Sequence, residues 1–341
     1  MSALLDRVEH DVRRAVQRGR NGLRYAAGTS RPKVGQTPKD VVWSRHKAQL
    51  WRYRSDDVRH RPPVVIVHSL VSRSYVLDLY PGNSAVAFLL DAGFDVHLLD
   101  WGVADAAEAD NTLATYARGY IPEALAALDG EVTLLGYCFG GVLSLLACAW
   151  EPELSVRNLA LMATPVDFAG MEAITALVRE GRLEPDDLVD ETGNVPPEAV
   201  ENAFRLLKPT AEYSQYANLW QHLWNDAYVE GYQAMGQWTR DHVPFPGAAF
   251  RETVERLVRS NGLMDGSLAD LSAITVPVLN VVAERDHIVP LAAAEPIPRL
   301  VGSEDAEELR LAAGHVGLVA GRSAAQVTLP GIAGWIARHG D

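Results

Sequence analysis

Cysteine is scarce: the 341 residues hold two, Cys138 and Cys148. Their spacing fits no metal-ligand pattern, so no zinc site and no disulfide framework is expected. So few thiols in so long a chain fit a reducing, cytoplasmic setting. Long apolar runs are missing too. No stretch reaches the roughly 18 apolar residues of a transmembrane helix, so no membrane span is expected. Asp6, Glu9, Asp11 and Arg13 break up the apolar core that a secretory signal needs. Positive charge is in deficit, with 31 Lys and Arg against 44 Asp and Glu and a formal net charge of −13. A nucleic-acid binder needs a dominantly basic surface, so that role is excluded as the main one. Lysine is rarest, at Lys33, Lys39, Lys47 and Lys208 only.

The charge that is present is unevenly placed. Residues 1–61 carry 15 basic and 6 acidic side chains, and the remainder carries 16 and 38. Composition is otherwise globular, 48% hydrophobic and 22% charged, which excludes wholesale disorder. At roughly 150 residues per domain the length fits one large domain or two small ones. Such a chain buries about three quarters of its unfolded surface without staples.

Residues 2–18 place Leu4, Leu5, Val8, Val12 and Ala15/Val16 on one helical face. This basic amphipathic helix is expected to pack on its own body or on a partner subunit. Contact with a membrane or hydrophobic particle is the alternative. Residues 27–40 read as loop. The body then alternates. Residues 41–55 form a hairpin, and 62–70 and 94–102 are strands, with a helix at 84–93 stopped by Gly93. A helix over 112–130 is disturbed at Pro122. A strand running into a glycine-rich turn over 131–141, a helix over 142–152 and a strand over 156–168 follow. Strand pattern returns at 274–290 and around 308–317, and a helix over 323–339 closes the chain. This is an α/β pattern, a mostly parallel sheet with helices on both faces. Its parts are a basic, partly helical segment 1–40, a first core half 41–168, a helical insertion 169–270 rich in Trp and Tyr, and a second core half 271–341.

The sharpest motif is Gly136-Tyr137-Cys138-Phe139-Gly140-Gly141, between a strand and a helix. It has the form of a nucleophile elbow with cysteine at the apex. The small residues two before and two after the apex let strand and helix pass closely. The Phe139 amide, at a helix start, is placed to donate to a developing oxyanion. Cys148 lies inside the following helix beside Ala147 and Ala149 and reads as a core residue.

An elbow is followed in chain order by an acid and then a histidine. His315, in Ala313-Gly314-His315-Val316-Gly317, stands after a strand and before the closing helix, where the base belongs. A nearby imidazole lowers a thiol's pKa and holds the thiolate. Asp286 ends the strand of residues 276–284 and is the acid that would fix the tautomer of His315. Glu284 is the weaker alternative. His287 points the other way if strand geometry persists, and reads as structural or rim. The second oxyanion amide is expected from His68-Ser69-Leu70-Val71-Ser72-Arg73, at Leu70 or Val71. His68 precedes the nucleophile and is disfavoured as a base.

Several blocks together resemble one family, the catalytic subunit of class III poly(3-hydroxyalkanoate) synthases. They are Val65–Leu79, Leu98-Leu99-Asp100-Trp101-Gly102, the cysteine elbow, Ala163–Phe168, Val278-Leu279-Asn280, Asp286-His287-Ile288-Val289-Pro290 and Gly314-His315-Val316-Gly317. The similarity spans about residues 40–340. It implies an α/β-hydrolase fold with a helical cap, the 169–270 insertion. It implies that Cys138 attacks the thioester of an (R)-3-hydroxyacyl-CoA, short chains such as 3-hydroxybutyryl-CoA foremost. CoA is released and a covalent acyl-enzyme forms. His315 would then be the general base, oriented by Asp286, and the product a polyester. It also implies a second, non-catalytic subunit, a homodimer or hetero-oligomer, and a place at the polyester granule surface. No cofactor and no metal are expected, since acyl-CoA is a substrate. Two other readings stay open at this point. One is a cysteine hydrolase, a thioesterase or an enzyme similar to dienelactone hydrolase. The other is a non-catalytic granule-associated subunit.

Overall fold

A computed structural model describes residues 2–27, 32–207 and 219–340. Residues 28–31 of the front segment and 208–218 of the helical insertion, with Lys208, lie outside the described residues. The strands are β1 (Lys39–Arg45), β2 (Ala48–Tyr53), β3 (Val64–Val67), β4 (Asp78–Tyr80), β5 (Asn83–Ser84) and β6 (Val96–Asp100). They continue with β7 (Val132–Tyr137), β8 (Val156–Met162), β9 (Asn194–Val195), β10 (Phe245–Pro246), β11 (Val278–Ala283) and β12 (Ala306–Leu311). Eight of them form one sheet in the order β1-β2-β6-β3-β7-β8-β11-β12. The β1–β2 hairpin and the β2–β6 pairing are antiparallel, and every other neighbour is parallel. The mostly parallel α/β architecture expected from the alternation is the one observed.

Burial on both faces explains the apolar runs. In β3, Val65 and Val67 pack into one hydrophobic cluster and Val64 and Ile66 into the other. Parallel strands covered by helices on both sides require this. Helix limits follow local chemistry. The Ser84 hydroxyl caps the helix Ala85–Asp91 by accepting from the Ala87 amide at 2.9 Å. Gly93 ends it at a φ of +92°. The helix expected over 112–130 is split into a π-helical turn at Thr115–Tyr120 and an α-helix at Ile121–Ala126. Pro122, in the first turn of the second piece, has no N–H to continue the ladder.

The insertion is mainly helical, with Glu172–Arg179, Pro197–Leu207 and Asp226–Trp238 as its longer described helices. It also holds the antiparallel pair β9–β10, two residues per strand, too short to leave a periodic signal.

The N-terminal helix runs further than its apolar pattern, over Ser2–Ala26. It docks on the insertion, and among the described side chains the contacts are polar and aromatic. The Asn21 amide donates to the Leu223 carbonyl at 2.7 Å and to Asp226 Oδ1 at 2.8 Å. Arg14 lies 4.1 Å over the Trp224 ring, and Tyr25 meets Tyr232 edge-on. Val12, Val16 and Leu23 are exposed. At 100° per residue the docked positions 14, 21 and 25 fall opposite 12, 16 and 23. Among the described side chains, polar and aromatic contacts seat this helix.

Candidate active site

The site forms at the carboxyl ends of neighbouring parallel strands, where loops from β3, β7, β11 and β12 converge. Cys138 follows β7 directly. It has φ +56° and ψ −125°, a region that a side-chain-bearing residue occupies only under constraint. The constraints are visible. Its amide donates to the Met162 carbonyl at 2.9 Å, and its carbonyl accepts from Gly141 at 3.0 Å. The glycines are required by close approach. A Cβ on Gly136 would lie 2.4 Å from Gly141 Cα, and one on Gly140 would lie 2.1 Å from the Val67 carbonyl oxygen. One on Gly141 would lie 1.9 Å from Thr164 Oγ1. Phe139 begins the helix Phe139–Trp150, so its amide is among those with no partner inside the helix.

Asp286 lies beyond the end of β11 at Ala283, in a loop rather than at the strand terminus expected from the sequence. Its Oδ1 accepts from the Ile288 and Val289 amides, each at 2.8 Å. This turn aims Oδ2 at His315 Nδ1, 2.8 Å away, and both residues are buried. Strand alternation no longer applies here, but His287 and Glu284 are still exposed, and Asp286 alone of the three is buried. His315 follows β12 and opens the turn Val316–Leu318. Burial works against its charged form. The facing Cys138 thiolate and the Asp286 carboxylate outweigh that and raise it to about 10, with both hydrogen bonds adding to the effect. The structure thus brings Cys138, His315 and Asp286 together. Cys148 is buried, and burial raises its thiol to about 12.

On the other side of the elbow, Leu70 is buried and Val71 half-buried. The Val71 amide faces Ser69 Oγ at 3.5 Å, whereas the Leu70 amide has no partner among the described residues. This loop is clamped to the insertion just after the helix Asp226–Trp238, a feature the sequence did not announce. The Val71 carbonyl contacts His242 Nδ1 at 3.2 Å, Trp238 Nε1 donates to the Arg73 carbonyl at 2.9 Å, and Arg73 pairs with Asp241. Tyr75 also donates to Asp241, at 3.0 Å. Phe139 meets Phe245 of β10 edge-on, so the insertion also touches the residue after the apex.

His68 is buried with neither ring nitrogen hydrogen-bonded among the described residues, and its Nε2 is 3.9 Å from Asp100 Oδ2. Burial lowers it to about 4 against the attraction of Asp100. Its carbonyl accepts from Trp101 Nε1 at 2.9 Å. Asp305, Glu307 and His339 form a group of metal-ligand type. It lies at the amino end of β12, away from Cys138, and His339 is already bonded to Asp305 and to the Trp335 carbonyl.

A model of the α/β-hydrolase fold family matches residues 62–321. A poly(3-hydroxyalkanoate) polymerase subunit PhaC from Allochromatium vinosum is 36% identical over 320 residues, covering 89% of each chain. The chain belongs to the poly(3-hydroxyalkanoate) polymerase PhaC family. Within that family it is also 34% identical over 333 residues to the Haloferax mediterranei subunit, covering 93% of this chain and 67% of that one. A further relative, from Synechocystis, is 31% identical over 327 residues. Solved structures agree in fold. A monoacylglycerol lipase from Paleococcus ferrophilus covers 85% of this chain at a TM-score of 0.51 and 17% identity. A putative epoxide hydrolase from Pseudomonas aeruginosa covers 91% at 0.54 and 14%. Among the described residues, no helix is long and apolar enough to cross a membrane.

Proposed function

We propose that this PhaC-family chain polymerises (R)-3-hydroxyacyl-CoA thioesters through a covalent acyl group on Cys138. The observation that carries this reading is the buried Asp286–His315 pair facing a cysteine held at a strained elbow. The thiolate attacks the thioester carbonyl, and the negative charge gathers on the carbonyl oxygen. The Phe139 amide receives it on one side and the Leu70 amide, without a partner among the described residues where that of Val71 is engaged, on the other. The bond to CoA sulfur breaks, and the imidazolium of His315 protonates the departing thiolate. The acyl group has moved from one sulfur to another at little energetic cost.

Elongation needs an alcohol. His315, neutral again, takes the proton from the 3-hydroxyl of a second acyl group, and that oxygen attacks the acyl–cysteine carbonyl. An ester forms and the Cys138 sulfur leaves as the thiolate. The Asp286 carboxylate keeps the Nδ1 proton directed at itself, so that Nε2 faces the reacting atoms. The insertion 169–270 serves as a cap, seated through the Trp238–Asp241 clamp on the oxyanion loop. It excludes the water that would hydrolyse the acyl-enzyme. A non-catalytic second subunit, self-association and work at the surface of the growing polyester complete the proposal.

The test is incubation of the purified chain with (R)-3-hydroxybutyryl-CoA, with and without a class III partner subunit. CoA release is followed with a thiol reagent and the acyl product by mass spectrometry. High-mass polyester is the expected product. CoA release with free 3-hydroxybutyrate alone identifies a thioesterase instead.

A further inference from the structure

The residue before the nucleophile has no role in the scheme above, yet it packs against the base. Tyr137 is 2% exposed. Strand alternation in β7 turns it to the sheet face where the loop after β12 lies, and it shares a hydrophobic cluster with Leu318 and Val319 of that loop. Its ring meets the His315 imidazole at a centroid separation of 5.1 Å with the planes inclined by 34°. Its hydroxyl donates to the His315 backbone carbonyl at 3.4 Å. The base is therefore held by Asp286 at Nδ1 and by Tyr137 across the ring and at its own backbone.

We propose that Tyr137 is a positioning residue for His315, its ring face favouring the imidazolium that pairs with the Cys138 thiolate and its hydroxyl anchoring the histidine loop. The inference rests on the cysteine–histidine–aspartate reading. An aromatic face carries negative quadrupole charge and attracts a cation laid over it, more strongly where water is excluded. His315 and Asp286 are buried as well, which strengthens this attraction. The tyrosine itself remains a neutral phenol. Burial, then the charges of Cys138 and Asp286, push its ionisation well above the usual value. It therefore does not compete with Asp286 for the proton. The titratable groups facing His315 are Cys138, Asp286 and Tyr137. Glu284, Arg285 and His287 of the neighbouring loop are exposed to solvent.

Three variants separate ring from hydroxyl: Tyr137→Phe, Tyr137→Leu and Tyr137→Met. The His315 titration is read from its imidazole carbon-bound proton by NMR. Cys138 reactivity is read as the rate of alkylation by iodoacetamide at pH 7, and integrity by thermal melting. Phe is expected to leave the titration midpoint in place. Leu and Met are expected to lower it by about half to one pH unit, and to slow alkylation about three- to tenfold. Met keeps length without a ring and replaces Leu as the test if Leu fails to fold. A midpoint and an alkylation rate unchanged in the Met or Leu variant, with only the melting temperature lowered, would reduce Tyr137 to packing and overturn the inference. A Cys138→Ala variant that still makes polymer would instead overturn the reading on which it rests.

Discussion

Two buried histidines make this fold acid-labile by an amount that can be worked out in advance. His68 and His97 are each lowered to about 4, chiefly by burial, against an ordinary histidine value of 6.5. Each is neutral in the fold, whereas the unfolded chain protonates near 6.5. Their contribution to stability is therefore complete above about 6.5 and lost as pH falls toward 4. One pH unit corresponds to 1.36 kcal/mol, so each loses about 3 kcal/mol across the window, and about 2 kcal/mol by pH 5. Against a total of roughly 5–15 kcal/mol this is a large fraction. The perturbation is His68→Leu, chosen because neither ring nitrogen has a hydrogen-bond partner among the described residues. Urea unfolding at pH 7 and pH 5 is the assay. The wild-type chain is expected to lose about 2 kcal/mol more than the variant between the two pH values. Groups away from His68 are common to both proteins, so they cancel in the difference. Equal losses in wild type and variant would refute the reasoning.

Other consequences are as direct. Asp286→Asn leaves a side chain of the same shape but removes the charge beside His315. A drop in kcat of about 10³–10⁴ is expected, with the melting temperature nearly unchanged. Gly141→Ala puts a methyl group 1.9 Å from Thr164 Oγ1 and is expected to cost more than about 3 kcal/mol, read as a lowered thermal midpoint or loss of soluble protein. Iodoacetamide on the folded chain at pH 8 is expected to label Cys138 and spare Cys148, whose thiol burial raises to about 12. Peptide mapping that finds Cys148 labelled would contradict that burial.

The sheet was legible because each of its central strands is buried on both faces and so is apolar without interruption, as in β3 and β7. The elbow was legible because its glycines are dictated by contacts under 3 Å that any Cβ would violate. Other features depend on contacts between distant segments. The Trp238–Asp241 clamp on the loop after β3 joins residues more than a hundred positions apart, and single polar contacts leave no periodicity. The N-terminal helix packs on its own body, as expected, but the partners of Asn21, Arg14 and Tyr25 lie some two hundred positions away and leave no local signal. Asp286 was expected at a strand end, but an amide-capped turn past β11 carries it. Side-chain capping of this kind overrides strand alternation within a few residues.

The central claim is that the acyl group rides on Cys138. Butyryl-CoA lacks the 3-hydroxyl needed for elongation, so an acyl-enzyme formed from it cannot propagate. Mass spectrometry of the quenched, proteolysed chain should find the butyryl group on the Cys138 peptide, and on no peptide of a Cys138→Ala variant. Acylation of another residue, or polymer made from (R)-3-hydroxybutyryl-CoA by the Cys138→Ala chain, would contradict the account.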